Sequence, residues 1–253
     1  MTGPPMTEMT TFAEELLAAY RAGTRIAPQG ALPTSAAQAY AVQSHLLAAL
    51  GPAGGFKVGL KPDAPPIMAP IMAARCQPSG SRYPVSDRIG VELEVGWKII
   101  APLPDPAQPN YLRAVTSCIV PLPVIELVDT RISGPAAADP LVKLADFQIN
   151  SGLILGAPLT DWDGGDFTHL TGRMQAGAQV LLEGATEVPG GSALGTLHAL
   201  HRAIGDHCGG LQPGQIVITG TIHPLTYVPG DIEVRGEISG LGTVSVSLET
   251  LSA

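Results

Sequence analysis

Beyond residue 55 the chain consists of short apolar runs parted by Gly and Pro, and this punctuation constrains the fold more than any other feature. The clearest runs are Phe56–Leu60, Val91–Ile100, Leu122–Val128, Leu153–Leu155, Ile216–Thr219, Ile232–Ile238 and Thr243–Leu248. Each is long enough for a strand and too short for most helices. With 30 Gly and 24 Pro in 253 residues, the chain suits many turns and connected strands better than a helical bundle. The last two runs flank Ser-Gly-Leu-Gly, a terminal hairpin. Thr171–Glu187 fits a helix or a hairpin, and the sequence leaves that open. Between Ser192 and His207, Leu194, Leu197, Leu200, His201 and Ile204 recur at helical spacing. Strands do not alternate regularly with helices, so an α+β fold with a mostly β core and flanking helices is expected over a doubly wound sheet. No fixed-period repeat or low-complexity tract is present.

Two helices are expected before this region. In Thr7–Ala22, Phe12, Leu16, Leu17 and Tyr20 share one face, and Gly23 stands at the C-cap. Ser35 with Gln38 three residues on forms a capping-box pattern, opening a helix through Tyr40, Val42, Leu46, Leu47 and Leu50 that Gly51-Pro52 stops. Residues 1–54 are thus expected to form a small N-terminal helical unit, and 55–253 the main domain. Hydrophobic residues at 45% and charged residues at 14% allow a sizeable core. A net charge of −8 with no basic run argues against nucleic acid as a partner. Cys76, Cys118 and Cys208 are odd in number and widely spaced, as ordinary buried thiols of a reducing compartment would be. The first eight residues lack the regions of a signal peptide and no apolar stretch would span a bilayer, so no membrane partner and a cytoplasmic location are expected.

The chemistry-bearing signal is a set of charges inside apolar runs. In Gly90-Val-Glu-Leu-Glu-Val-Gly-Trp-Lys, Val91, Leu93, Val95 and Trp97 face one way and Glu92, Glu94, Gly96 and Lys98 the other. An E-x-E strand alone is commonly a solvated face. Glu126, inside Leu122-Pro-Val-Ile-Glu-Leu-Val, looks buried on both faces, where a carboxylate needs a salt bridge or a metal. Three carboxylates on two strands suit a hard cation, Mg²⁺ or Mn²⁺, and leave positions open for a chelating substrate. Lys57 in Phe56-Lys-Val-Gly-Leu either snorkels to the surface or, held inside, binds a carboxylate or transfers a proton.

These blocks, in this order, resemble the 2-keto-4-pentenoate hydratases (2-oxohepta-3-ene-1,7-dioate hydratase-like) of the fumarylacetoacetate hydrolase superfamily. The resemblance continues through Asp146-Phe-Gln-Ile-Asn-Ser-Gly152, Gly190-Gly-Ser, Gln212-Pro-Gly-Gln-Ile-Val-Ile-Thr-Gly220, Pro229-Gly-Asp and Gly240-Leu-Gly-Thr-Val, covering nearly the whole chain. It implies a mixed β-roll or barrel-like core (fumarylacetoacetase C-terminal-like) behind the helical unit, and metal ligation by Glu92, Glu94 and Glu126. It implies a catalytic or substrate-binding role for Lys57, and contacts to the substrate carboxylate from Ser192, Thr219 and Thr221. It also implies a homo-oligomer.

The activity implied is a metal-dependent hydratase that adds water to a 2-hydroxy-2,4-dienoate to give a 4-hydroxy-2-oxo acid, in catabolism of aromatic compounds. The same site would serve a decarboxylase of the 4-oxalocrotonate type, with a hydratase or decarboxylase of the same pathway as partner, and a catalytically silent relative is the third reading. Where many hydratases carry an acid, this chain has Ala73, Ala74 and Arg75, and Asp63 upstream lies in a loop-like stretch. His223 stands where small residues are usual and is either a substitute proton carrier or a surface or packing residue. No histidine falls between His45 and His169, which ranks the His–Glu hydrolase branch lower. His198, His201 and His207 are expected as solvated helix positions rather than a second metal site.

Overall fold

The computed structural model describes residues 9–251. The expected helix start at Thr7 and Glu8, and the first eight residues as a whole, lie outside them. Two helices come first, α1 (Thr10–Ala22) and α2 (Ala36–Leu50). Gly23 adopts φ 64° and returns its N–H to Ala19 O, closing α1 as the sequence implied. Ser35 accepts from Gln38 N, but Gln38 turns its amide oxygen to Thr34 N (2.7 Å) and Thr34 Oγ1 (2.9 Å) rather than to Ser35 N, so the box is half formed.

Strands β1 (Ala53–Gly59), β2 (Ile67–Met72), β3 (Cys76–Pro78), β4 (Ser81–Val85), β5 (Arg88–Ile99) and β6 (Ile119–Val128) follow, with α3 (Tyr111–Val115) between the last two. After α4 (Pro140–Ala145) come β7 (Asn150–Leu155), β8 (His169–Ala176) and β9 (Gln179–Glu187). The chain continues with α5 (Ala193–Ile204), β10 (Ile216–Thr221), β11 (Thr226–Pro229), β12 (Ile232–Ile238) and β13 (Gly242–Thr250). The ambiguous stretch is the β8–β9 hairpin, and the terminal hairpin pairs Ile232 with Leu248 through Ile238 with Gly242.

The fold is α+β with two mixed sheets. The larger runs β2-β1-β10-β5-β6-β7-β3, with β11 pairing the first part of β5; the smaller runs β4-β13-β12-β8-β9. The sheets pack face to face: Val91, Leu93, Val95 and Trp97 of β5 share one core with Val234, Val244 and Val246 of the smaller sheet. That contact is close enough that a Cβ on Gly236 would meet Leu93 Cδ1 at 2.6 Å. The opposite face of the larger sheet carries a second apolar cluster, Ile71, Leu122, Val124, Leu153, Ile216 and Ile218, next to the charges. Helices α1, α2 and α4 form a third cluster with Ala69, Met72 and Phe147; Phe12, Leu16 and Leu46 are fully buried there. Burying such side chains contributes about 1.5–3 kcal/mol each. Among the described residues, no helix is long and apolar enough to cross a membrane.

Candidate active site

The β5–β6 register builds the centre. Glu92 pairs with Glu126 and Glu94 with Val124, so period-two alternation sends Glu92, Glu94 and Glu126 to the face away from the sheet-on-sheet core. Ligand oxygens of the three lie within 4.8 Å of one another. Glu126 is 0% exposed and Glu94 2%, while Glu92 is half-buried. The parallel β1–β10 pairing sets Lys57 opposite Ile218, with β10 and β5 between its strand and β6, and its Nζ reaches Glu126 Oε1 at 2.6 Å. Asn150 Nδ2 donates to the same oxygen at 2.7 Å.

Glu94 is fixed by a bulge. The β10–β5 register shifts between Ile218 and Thr221, and Gly220, at φ 104°, aims its N–H at Glu94 Oε2 (2.6 Å). Bulges re-aim backbone groups in this way at many sites. These elements enclose a cavity of about 250 Å³ lined by Lys57, the three glutamates, Gln148, Thr219, Gly220 and Thr221, with Val58, Leu60, Ile67 and Pro189 as its apolar wall.

The electrostatics call for a cation. Burial, and then the charge of Glu126, push the Glu92 carboxyl up to about 7; burial, Glu126 and Glu92 hold Glu94 well above the usual carboxylate range. Burial alone would lower the Lys57 pKa, but the three carboxylates outweigh it and the ammonium is held charged more firmly than usual. One lysine cannot neutralise three carboxylates. Glu126 Oε2 is buried with no hydrogen-bond partner, a costly state for an ionised oxygen. A hard divalent cation fits this donor set: it takes carboxylate oxygens and would give Glu126 Oε2 its missing partner.

The remaining expected site residues divide. Thr219 and Thr221 line the cavity, but Thr219 Oγ1 donates to Val95 O (3.0 Å) and Thr221 Oγ1 to His223 O (2.7 Å), leaving both hydroxyls only as acceptors for a ligand. Ser192 lies outside the cavity wall. It is the N-cap of α5, accepting from Gly195 N at 2.7 Å and donating to Asp166. His223 is 5% exposed and also away from the wall. Its Nε2 accepts from Leu93 N (3.0 Å) and its Nδ1 faces Pro224 O (2.9 Å), so both ring nitrogens are engaged. It fills the break between β10 and β11, where Leu93 has no strand partner for its N–H. That makes it a backbone tie rather than a free proton carrier.

Other expectations meet their surroundings. Ala73, Ala74 and Asp63 are exposed, and neither they nor Arg75 line the cavity. His198, His201 and His207 are not free solvated positions: they bond to Pro106 O (2.8 Å), Tyr111 Oη (2.9 Å) and Gln43 Oε1 (2.9 Å). The three cysteines are free thiols, half-buried rather than buried. Sequence reasoning missed Gln148 and Asn150 as site residues. The signal available was two amides within Asp146-Phe-Gln-Ile-Asn beside an apolar run, which local pattern alone does not direct at Glu126.

No protein-family model matches the sequence. Among solved structures, the chain is similar to the 4-oxalocrotonate decarboxylase from Pseudomonas putida G7, complexed with magnesium and adipate. The TM-score is 0.78 at 21% identity, over 99% of this chain and 100% of that one. A 5-carboxymethyl-2-hydroxymuconate delta-isomerase from Mycobacterium smegmatis gives 0.56 at 17% identity, over 80% of this chain and 82% of that one. A fumarylpyruvate hydrolase from Pseudomonas aeruginosa, in complex with Mn²⁺ and pyruvate, gives 0.56 at 16% identity, over 78% and 89%. A decarboxylase, an isomerase and a hydrolase thus share the architecture, so it does not by itself choose among their reactions. At 16–21% identity these likenesses show that the chain shares the fold of these three enzymes.

Proposed function

We propose that the protein is a divalent-metal-dependent lyase of small unsaturated 2-oxo acids or their 2-hydroxydienoic forms, with Mg²⁺ or Mn²⁺ held by Glu92, Glu94 and Glu126. The observation that carries this reading is Glu126 Oε2, fully buried and unpartnered beside two further carboxylates. A silent relative would have no reason to keep such charges inside. When bound, the metal supplies a Lewis acid for the 2-oxo group. Lys57, the cation of the cavity wall, holds an anionic substrate oxygen or delivers a proton; its raised pKa keeps it protonated, which rules it out as the resting base. Gly220 fixes Glu94 and Asn150 fixes Glu126 for this task.

Decarboxylation is the chemistry that the cavity supports best. Hydration needs an acid or base to handle water, and besides Lys57 and the three glutamates no titratable side chain lines the wall among the described residues. Loss of carbon dioxide needs only an electron sink and a proton. In a diacid of the 4-oxalocrotonate type, the bond to the distal carboxylate breaks and its electron pair runs through the conjugated system to the 2-oxo oxygen. Protonation there gives 2-hydroxypenta-2,4-dienoate. Val58, Leu60, Ile67 and Pro189 offer the departing carboxylate an apolar wall. The likeness over 99% of the chain to a 4-oxalocrotonate decarboxylase supports the same choice.

The hydratase reading stands second, favoured by the order of Phe56-Lys-Val-Gly-Leu, Val91-Glu-Leu-Glu and Pro123-Val-Ile-Glu. The proposal includes residues 1–54 as a helical unit and 55–253 as a catalytic domain with a barrel-like core. That closure is supported by β2 and β3, the two ends of the larger sheet, being joined by residues 73–75 alone. A cytoplasmic homo-oligomer, with a hydratase or decarboxylase partner, completes the reading.

The test is an assay with 4-oxalocrotonate and Mg²⁺, with and without chelator. Metal-dependent carbon dioxide release with accumulation of the dienol is expected. Consumption of supplied dienol to a 4-hydroxy-2-oxo acid would install the hydratase instead, and turnover of neither would sink both.

A further inference from the structure

Phe147, Gln148 and Ile149 stand at φ 51°, 51° and 54°, three consecutive left-handed residues with no glycine among them. L-residues do not hold such a run unaided, because each Cβ crowds a carbonyl oxygen, and Ile149 is β-branched besides. Something outside the turn must fix it.

The turn is gripped from one side by a buried ion pair. Asp146, just before it, is 0% exposed and accepts from Arg131 Nε (2.7 Å), Arg131 N (2.9 Å) and Thr130 Oγ1 (2.9 Å). The two terminal guanidinium nitrogens of Arg131 donate to Asp146 O (2.9 Å) and to Asn150 O (3.0 Å). One planar group therefore brackets the turn at the residue before it and the residue after it. The Tyr20 ring of α1 lies under the guanidinium at 4.4 Å and against Phe147 at 5.5 Å. On its other side, the turn faces the carboxylates. Gln148 O accepts from Lys57 Nζ (3.4 Å), and Asn150 Nδ2 donates to Glu126 Oε1 (2.7 Å).

We infer that Arg131 and Asp146 are positioning residues, which set Lys57 and Glu126 through the left-handed turn 147–149 without touching either. Its functional consequence rests on the metal-site reading above; its geometric content does not. A shorter cation cannot take over, since bracketing needs the guanidinium's fork.

The experiment uses the full chain with Arg131→Lys, Arg131→Lys/Ile149→Gly and Asn150→Ala, each first checked for a cooperative melt. Two quantities are read: the ¹⁵Nζ resonance of Lys57, assigned with Lys57→Arg, and Mn²⁺ affinity by calorimetry. Arg131→Lys should move the Lys57 signal towards that of exposed Lys61 and weaken Mn²⁺ binding about tenfold or more. Glycine adopts positive φ without penalty, so adding Ile149→Gly should return the signal and most of the affinity. A pair that merely stabilised the core would give the opposite result: the added glycine would lower stability and restore nothing. Asn150→Ala leaves the ion pair intact and cuts the link to Glu126, so it should shift both readouts even if Arg131→Lys does not fold. Unchanged signal and affinity in the variants, or no rescue by glycine, overturns the inference. Wild-type protein that binds no Mn²⁺ sinks the metal reading instead, while the Lys57 signal still decides the positioning.

Discussion

Glu126 explains why its neighbours are what they are. Its Oε1 takes both Lys57 and Asn150, and its Oε2 is buried without a donor from the protein. Glu126→Gln keeps the shape and removes one of the mutually repelling charges. The rise in Tm on adding Mg²⁺ should vanish in the variant; scanning calorimetry with and without metal checks it. Lys57→Ala should lower kcat by about 100-fold or more, the usual scale for a lost proton donor, read by steady-state turnover. His223 gives the contrasting case. His223→Ala strands the Leu93 N–H in the core and should cost about 1–3 kcal/mol of stability in urea titration, with kcat changed little. Burial lowers the His223 pKa, so its neutral form stabilises the fold above about 6.5, and that contribution is lost as pH falls through the depressed value.

Strand pairing converts a sequence pattern into a site. The alternation in β5 and β6 was readable because the charges broke otherwise apolar runs, and the register then delivered Glu92 opposite Glu126. The Ser35 cap and the β12–β13 hairpin were readable for the same reason: the signal is local. What escaped depends on partners distant in sequence. β2 and β4 contain Pro70 and Pro84, which argue against strands, yet both lie at sheet ends where a missing N–H is tolerated. The left-handed turn exists only because Arg131 brackets it, and His223 works as a strand surrogate only because β10 and β11 leave a gap. Close approach of backbones was equally hidden. A Cβ on Gly55 would lie 1.9 Å from Ile216 O, so Gly55→Ala must part β1 from β10, the pairing that places Lys57. Overpacking of this kind costs about 1–3 kcal/mol or more. The variant should lose stability in denaturant titration and, at temperatures where it stays folded, kcat as well.

Two sheets supply the rigid frame, and the helices reach the site through it: Tyr20 of α1 supports Arg131, which supports the turn beside Glu126. The charged centre should therefore report on global stability. Glu92 titrates at about 7 and Glu94 is raised in the same direction, mainly by burial. For raised carboxylates, the protonated forms stabilise the fold fully below the ordinary value of about 4.5, and that stability is lost as pH rises through the folded values. Metal-free protein should lose stability between about pH 4.5 and pH 7 on this account, whereas metal-bound protein should not, because a bound cation favours the ionised forms. The gain in Tm from Mg²⁺ should grow from pH 5.5 to pH 8. A gain that shrinks over that range would contradict the site's electrostatics. Calorimetric titration of Mn²⁺ into metal-free protein at pH 7.5, beside Glu126→Gln, asks the decisive question. Saturable binding of one ion per chain with proton release, lost in the variant, is the result expected from three converging carboxylates. Equal binding by both proteins, or none by wild type, would contradict Glu92, Glu94 and Glu126 as the metal centre.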